Sequence, residues 1–203
     1  MKTKPNPILP LRRLMLPGEL IHFPPRNPDE ETWNIIIETP QGSRNKFDYD
    51  PARGLFKLKK VLPLGNVFPF DFGFMPSTLA DDGDPLDVLV LMDAPAFTSC
   101  LVEGQLVGVI EGEQLVEGKK QRNDRLIAVA AASHQYQEVH TLKDVPNALV
   151  TEMEHFFSSY HELEGKPFEA LGRRGPKHAE RLVKAGMERF VQALQSSVIE
   201  KAG

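Results

Sequence analysis

Asp82-Gly83-Asp84-Pro85-Leu86-Asp87, preceded by Asp81 and followed by the apolar run Val88-Leu89-Val90-Leu91, is the stretch around which the chain is organised. Carboxylates crowded this closely repel one another, so a turn that gathers them calls for a cation. Gly83 permits backbone angles closed to other residues, and Pro85 fixes one. In a plain strand residues i and i+2 share a face but i and i+5 do not. Asp82, Asp84 and Asp87 therefore meet at one point only through such a turn. Hard oxygen ligands converging this way suit Mg²⁺ or Mn²⁺. The plain alternative is a solvated acidic turn. The abrupt passage from acidic loop to wholly apolar run argues against it, because the loop is then pinned to the end of a buried strand. An EF-hand is excluded. Counted from Asp82, Leu86 falls where a ligand is needed and Asp87 where Gly is needed; counted from Asp81, Gly83 falls on a ligand position.

The chain has 203 residues and a formal charge of -4. That length supports a sizeable core. The mild acidity argues against a general nucleic-acid-binding surface. Cys100 is the single cysteine, which rules out an intrachain disulfide framework and a cysteine-based zinc site and fits a reducing cytoplasm. Pro10, Arg12, Arg13 and Pro17 interrupt the early apolar residues, so no signal-peptide core is expected there. No run is long enough to span a membrane.

Residues 1–32 are rich in proline and charge and read as an extended arm lying on the domain or on a neighbouring subunit. Residues 33–203 read as one α+β domain. Trp33 to Thr39 is β-branched and apolar, a strand ending in Glu38. Asn45 to Asp50 alternates with period two, Lys46, Asp48 and Asp50 sharing one face. Leu55 to Val61 is a third, basic strand. Val67 to Pro76 is densely aromatic and reads as core beside the acidic loop. Strands are expected at Val88–Met92, Leu101–Ile110 and Arg125–Ala130, with Glu111 to Asp124 an exposed charged loop. Short strands and turns in this order suit a small barrel or sandwich. Helical spacing then appears after Pro146, with Gly165 as a stop, and again from Pro176 to about Ser197. Both amphipathic helices are expected to lie on the barrel.

Acids at Glu38, Asp48, Asp82, Asp84 and Asp87 suit divalent metals, and cations at Lys46, Lys59 or Lys60 and Arg125 suit an anion. A polyphosphate with Mg²⁺ needs this mixture. No phosphate-cradling glycine loop is present. At these residues the chain resembles the soluble family I inorganic pyrophosphatases. The hexapeptide from Asp82 to Asp87 matches that family's signature, and the likeness continues through Ile36-Ile37-Glu38, Lys46-Phe47, Gly54-Leu55-Phe56, Phe72-Gly73-Phe74 and His155-Phe156-Phe157 through Tyr160 to Lys166. The resemblance implies an OB-like five-stranded β-barrel with flanking C-terminal helices and Mg²⁺-dependent hydrolysis of pyrophosphate to two phosphates. It implies that Asp82 and Asp87 are metal ligands, that Asp84 activates the attacking water, and that Glu38 serves the phosphate-side metals. It gives Lys46, Tyr160 and Lys59 phosphate-binding roles, with Lys60 in place of Lys59 if the spacing is counted differently. Arg125 and His161 stand where the family has lysines that bind substrate. A homo-oligomer, hexamer or dimer, is implied as well.

Several positions depart from the family pattern. Asp48 stands for Glu, Phe72 for Tyr and His161 for Lys, the last exchanging a permanent charge for a pH-dependent one. Asn123 stands where a metal-binding aspartate is expected. Asp124 beside it takes that role only if a bulge turns it inward, since a one-residue slip reverses the face. Glu111, Glu113 and Glu117 are further candidates to complete the cage. These departures keep two competitors open: a weakened or inactive descendant that binds phosphate, nucleotide or a protein partner, and a hydrolase of another phosphoanhydride. A nucleic-acid-binding OB module is disfavoured, because the aromatic cluster reads as core rather than as an exposed stacking face.

Overall fold

The computed structural model describes residues 19–162 and 165–202. Ile35, Ile36 and Ile37 make β1 (Trp33–Thr39) a strand buried along its whole length. It pairs antiparallel with β4 (Asp71–Met75) on one edge and with β6 (Leu101–Val116) on the other. β4 pairs with β5 (Leu86–Leu91), β5 runs parallel to β8 (Arg125–Ala130), and β8 returns to β6. The five strands β1, β4, β5, β8 and β6 close into a ring, the OB-like barrel expected. A separate two-stranded sheet, β2 (Asn45–Asp50) with β3 (Leu55–Val61), stands beside it.

The wall alternates as a strand must, with period two. From β5 and β8, Leu89, Leu91, Ile127 and Val129 join Val150, Met153 and Phe157 of α1 (Asn147–Glu162) in one core cluster. The intervening Val88, Val90, Leu126 and Ala128 join Ala179 and Val183 of α2 (Pro176–Ala202) in the other. Each face of the barrel wall is thus covered by one of the two amphipathic helices.

Two elements differ from the sequence-based expectation. Glu111 to Asp124 is a hairpin rather than a loop: β6 runs on to Val116 and turns back as β7 (Lys119–Arg122). The turn residues Glu117 and Gly118 have φ of 51° and 77°, the positive angles a two-residue hairpin turn demands. Its charges are paired, Glu113 with Lys120 at 3.0 Å and Glu111 with Arg174 at 2.8 Å, so a charged segment still forms a strand. The far half of β6 also carries β9 (Phe168–Arg174), an element that Phe168-Glu169-Ala170-Leu171-Gly172, with no sustained period-two alternation, does not announce.

Of the expected arm, residues 1–18 lie outside the described residues. Residues 19–32 are tied to the barrel: Ser77 Oγ donates to the Phe23 carbonyl at 2.9 Å and Asn34 Nδ2 to the Pro24 carbonyl at 2.9 Å.

Close approach of β1 and β4 depends on Gly73. A Cβ there would lie 2.0 Å from the Ile36 carbonyl oxygen. The neighbour is backbone in a closed ring and has nowhere to move. Gly73→Ala is expected to cost about 3 kcal/mol or more by overpacking, read from chemical denaturation; an unchanged midpoint contradicts this packing.

Candidate active site

The acidic turn is held at both ends before it can hold anything else. Gly83 adopts φ of 91°, the Ala80 N–H donates to the Asp84 carbonyl at 2.7 Å, and the Asp84 N–H donates to Asp82 Oδ1 at 3.1 Å. At its exit, the Leu86 N–H donates to the buried Thr78 hydroxyl at 3.0 Å, which itself donates to the Met75 carbonyl. The turn is therefore fixed to the entrance of β5. Asp82, Asp84 and Asp87 all line one cavity of about 410 Å³.

The opposite wall comes from β1 and from the β2–β3 hairpin. Glu38 is buried at the end of β1, and its Oε1 accepts the Tyr49 N–H at 2.7 Å. Burial pushes its carboxyl up to about 8, against the pull of Lys46. Asp48 is gripped from two strands, by Lys46 at 2.9 Å and Lys59 at 2.9 Å. Burial opposes its ionisation, but the two lysines hold it below the usual carboxylate range. Lys60, across from Lys46 in the hairpin register, also lines the cavity. Burial, with Lys46 nearby, pushes its amine down to about 7. Lys59 and Lys60 both line the cavity, one paired to Asp48 and one depressed by its surroundings.

The third wall comes from the β6–β7 hairpin, β8 and the end of α1. Arg125 is 3% exposed, lies 5.0 Å from the centre of the Phe157 ring, and meets Asp87 Oδ2 at 2.6 Å. Its guanidinium also donates to the Asn123 side-chain oxygen. Asn123 Nδ2 donates to Gln114 Oε1 at 2.7 Å, and Gln114 Nε2 stands 2.9 Å from His161 Nδ1. An amide nitrogen only donates, so Nδ1 accepts and the ring proton of the neutral His161 sits on Nε2. Burial, then Arg125, pushes His161 down to about 3. His161 does line the cavity, but as a neutral ring rather than as the pH-dependent phosphate charge expected.

Asp124 does not join the acids. Its Oδ1 accepts the Gly112 N–H at 3.0 Å and Arg122 at 2.7 Å, and it is Asn123 that lines the cavity. The two residues link β7 to β8, and the Asn123 N–H is held by the Gly112 carbonyl at 2.9 Å while the Asp124 carboxylate turns to the Gly112 N–H. Glu111 and Glu113 are likewise committed outside the cavity, and Glu117 sits in the turn. The backbone of Tyr160 belongs to α1, while its side chain lies outside the described residues. Gln114 and Lys166 line the cavity without having been singled out as site residues.

Among the described residues, no three acidic, histidine or cysteine side chains converge into a ready-made metal cage. The donor set nevertheless suits Mg²⁺. That ion keeps several waters and is commonly bound by one or two carboxylates plus substrate phosphates, rather than by an all-protein cage. Asp82 and Asp84 are exposed at the mouth and can take that part.

His161 sets a pH dependence of stability. A histidine with a folded pKa of about 3 against an ordinary 6.5 stays neutral while the unfolded chain takes up a proton. Stability is therefore full above the ordinary value and falls as pH drops below it. Between neutral and about pH 5 the wild type is expected to lose about 2 kcal/mol more than His161→Gln, read by urea denaturation. Parallel losses in the two proteins contradict a buried neutral ring.

Residues 35–191 match the family model for inorganic pyrophosphatase. The inorganic pyrophosphatase of Thermus thermophilus is 40% identical over 163 residues, 79% of this chain and 91% of that protein. That of a Synechocystis species is 38% identical over 148 residues, 73% of this chain and 85% of that protein. The crystal structure of a Thermus thermophilus inorganic pyrophosphatase superposes with a TM-score of 0.78 at 37% identity, covering 85% of this chain and 98% of the other. An inorganic pyrophosphatase structure from Neisseria gonorrhoeae gives 0.74 at 27% identity, over 82% and 95%. The acidic turn, the five-stranded ring and these likenesses agree, and the chain belongs to the inorganic pyrophosphatase family.

Proposed function

We propose that this protein hydrolyses inorganic pyrophosphate to two phosphates with the help of divalent metal ions, Mg²⁺ or Mn²⁺. The observation that carries this reading is a single cavity in which Asp82, Asp84 and Asp87 face Lys46, Lys59 and Lys60. A polyanion that arrives with metal ions needs both signs of charge in one place. Relatives bearing the name inorganic pyrophosphatase over most of the chain support it further.

The residues divide the work by charge and placement. Metal ions at the acidic mouth would neutralise phosphate oxygens and lower the pKa of a water. Asp84 is the carboxylate that takes the proton from the attacking water. Lys46 and Lys59 rest on Asp48. A pyrophosphate carries more charge than one carboxylate and draws both amines across, setting the phosphates in line. Phe72, buried under the Lys46 amine at 5.6 Å from its ring centre, gives that amine an apolar floor. Tyr160, at the end of α1, is assigned to phosphate binding by family likeness. His161 and Gln114 hold the amide of Asn123, rather than binding phosphate through charge.

Among the described residues no helix is long and apolar enough to cross a membrane. The reading places the protein in the cytoplasm as a homo-oligomer acting on free pyrophosphate.

Purified protein with Mg²⁺ or Mn²⁺ is expected to release phosphate from pyrophosphate. Asp84→Asn, which keeps the shape and removes the base, is expected to lower the rate by about a hundredfold or more. A wild type that releases no phosphate with either ion overturns the reading. An Asp84→Asn variant at the full rate removes Asp84 from its role.

A further inference from the structure

The family match begins at residue 35, yet a residue from before it reaches the cavity. Ile21 lines the same opening as Lys46, Pro51 and Asp84. It belongs to a one-turn helix, Glu19–His22, that is clamped onto the barrel. Ser77 holds this segment: its N–H donates to the Ile21 carbonyl at 2.7 Å and its hydroxyl to the Phe23 carbonyl at 2.9 Å. Ser77 adopts φ of 52°, a left-handed angle uncommon for a residue with a side chain. On the other side, the His22 ring lies 5.4 Å from that of Phe190 in α2. The segment is thus fixed between the end of β4 and α2, and the half-buried Ile21 is set at one place along the cavity.

Contacts along β4 tell which place. Phe72 lies under the Lys46 amine at 5.6 Å, and Phe74 stacks on Tyr49 at 6.1 Å. β4 therefore runs from the lysine end of the cavity towards Ser77. Ile21 stands at the far end, where β2 finishes in Tyr49 and Asp50. The cations of that end are already engaged: Asp50 accepts from both Arg53 and Lys57, the latter at 3.3 Å. The acidic turn lies at the same end, since Met75 pairs with Leu86. Between these charges Ile21 offers an apolar side chain with no hydrogen bond to give.

A pyrophosphate drawn to Lys46 and Lys59 occupies the lysine end and reaches the acidic turn. A chain of three phosphates anchored on the same lysines must send its third phosphate towards Ile21. There it would give up water against an apolar side chain and find no cation that is not already engaged by Asp50. Taking a charged oxygen out of water without a partner is strongly unfavourable. An unfavourable contact built against the wrong ligand is one of the two routes to specificity.

We propose that Ile21 is a specificity-determining residue that closes the far end of the cavity against inorganic tripolyphosphate and longer phosphate chains. This rests on the reading of the cavity as a pyrophosphate site and adds a limit on chain length. Ser77 acts as a positioning residue that keeps Ile21 at that end.

The test is phosphate release from pyrophosphate and from tripolyphosphate by the full chain with Mg²⁺, compared as the ratio of the two kcat/KM values. Wild type is expected to favour pyrophosphate by about tenfold or more. Ile21→Ala opens the end and is expected to raise the tripolyphosphate-to-pyrophosphate ratio by about tenfold. Ile21→Lys supplies a cation there and is expected to raise the ratio at least as far. It decides the matter if Ile21→Ala does not fold. A merely structural role for Ile21 lowers both rates together and leaves their ratio in place. A ratio that stays within about threefold of wild type in the folded variant overturns the proposal. A wild type that uses both substrates equally well overturns it too. If either occurs while wild type releases phosphate from pyrophosphate, only this inference falls. A wild type inactive on pyrophosphate overturns the reading of the cavity as well.

Discussion

Like charges held at close quarters in one cavity must be compensated, and most of the site follows from how this is done. Glu38, Asp48, Asp82, Asp84 and Asp87 line a single opening. Each is relieved differently. Asp87 leans on a buried arginine, Asp48 on two lysines from neighbouring strands, and Glu38 is pushed by burial towards its neutral form. Only the two aspartates of the turn itself stay exposed at the mouth. Compensation inside the protein and compensation by metal ions are alternatives for each carboxylate. Side chains that exchange partners when a polyanion arrives, such as Lys46 and Lys59, connect the resting arrangement to the working one.

That arrangement exists because the barrel brings distant segments to the same place. Glu38 ends β1, Asp87 opens β5 and Arg125 opens β8, and β5 and β8 run parallel with Val88 beside Leu126. The parallel pairing puts the entrances of the two strands side by side, which is why an acid and a base far apart in sequence form an ion pair. The sixteen-residue β6 supports the rest: one part closes the ring and the other carries the hairpin that aims Asn123 inward. The outward neighbour Asp124 ties that hairpin to Arg122 and to the Gly112 backbone.

Much of this was legible in the sequence where local chemistry and tertiary burial agree. The isoleucines of β1, the alternation of β2 and the passage from Asp87 into Val88-Leu89-Val90-Leu91 each state strand and face at once. Pro146 and Pro176 mark the openings of the two helices, found at Asn147 and Pro176. The segment from Glu111 to Arg122 was not legible, because its charges are satisfied by partners on β7, β9 and α2 that no local pattern reveals. β9 was missed for the same reason. At the site, residue type was readable and direction was not. Asp124 and Asn123 differ by one position, and only the register of the hairpin decides which faces the cavity. His161 was read as a switchable charge, whereas burial beside Arg125 keeps it neutral.

The central claim is that one cavity joins carboxylates that hold metal ions to cations that hold phosphate. The most direct measurement is an anomalous-diffraction map of crystals soaked with Mn²⁺ and inorganic phosphate. The account predicts manganese at the acidic turn and phosphate against Lys46. Manganese away from the acidic turn, or phosphate away from the lysines, would contradict it.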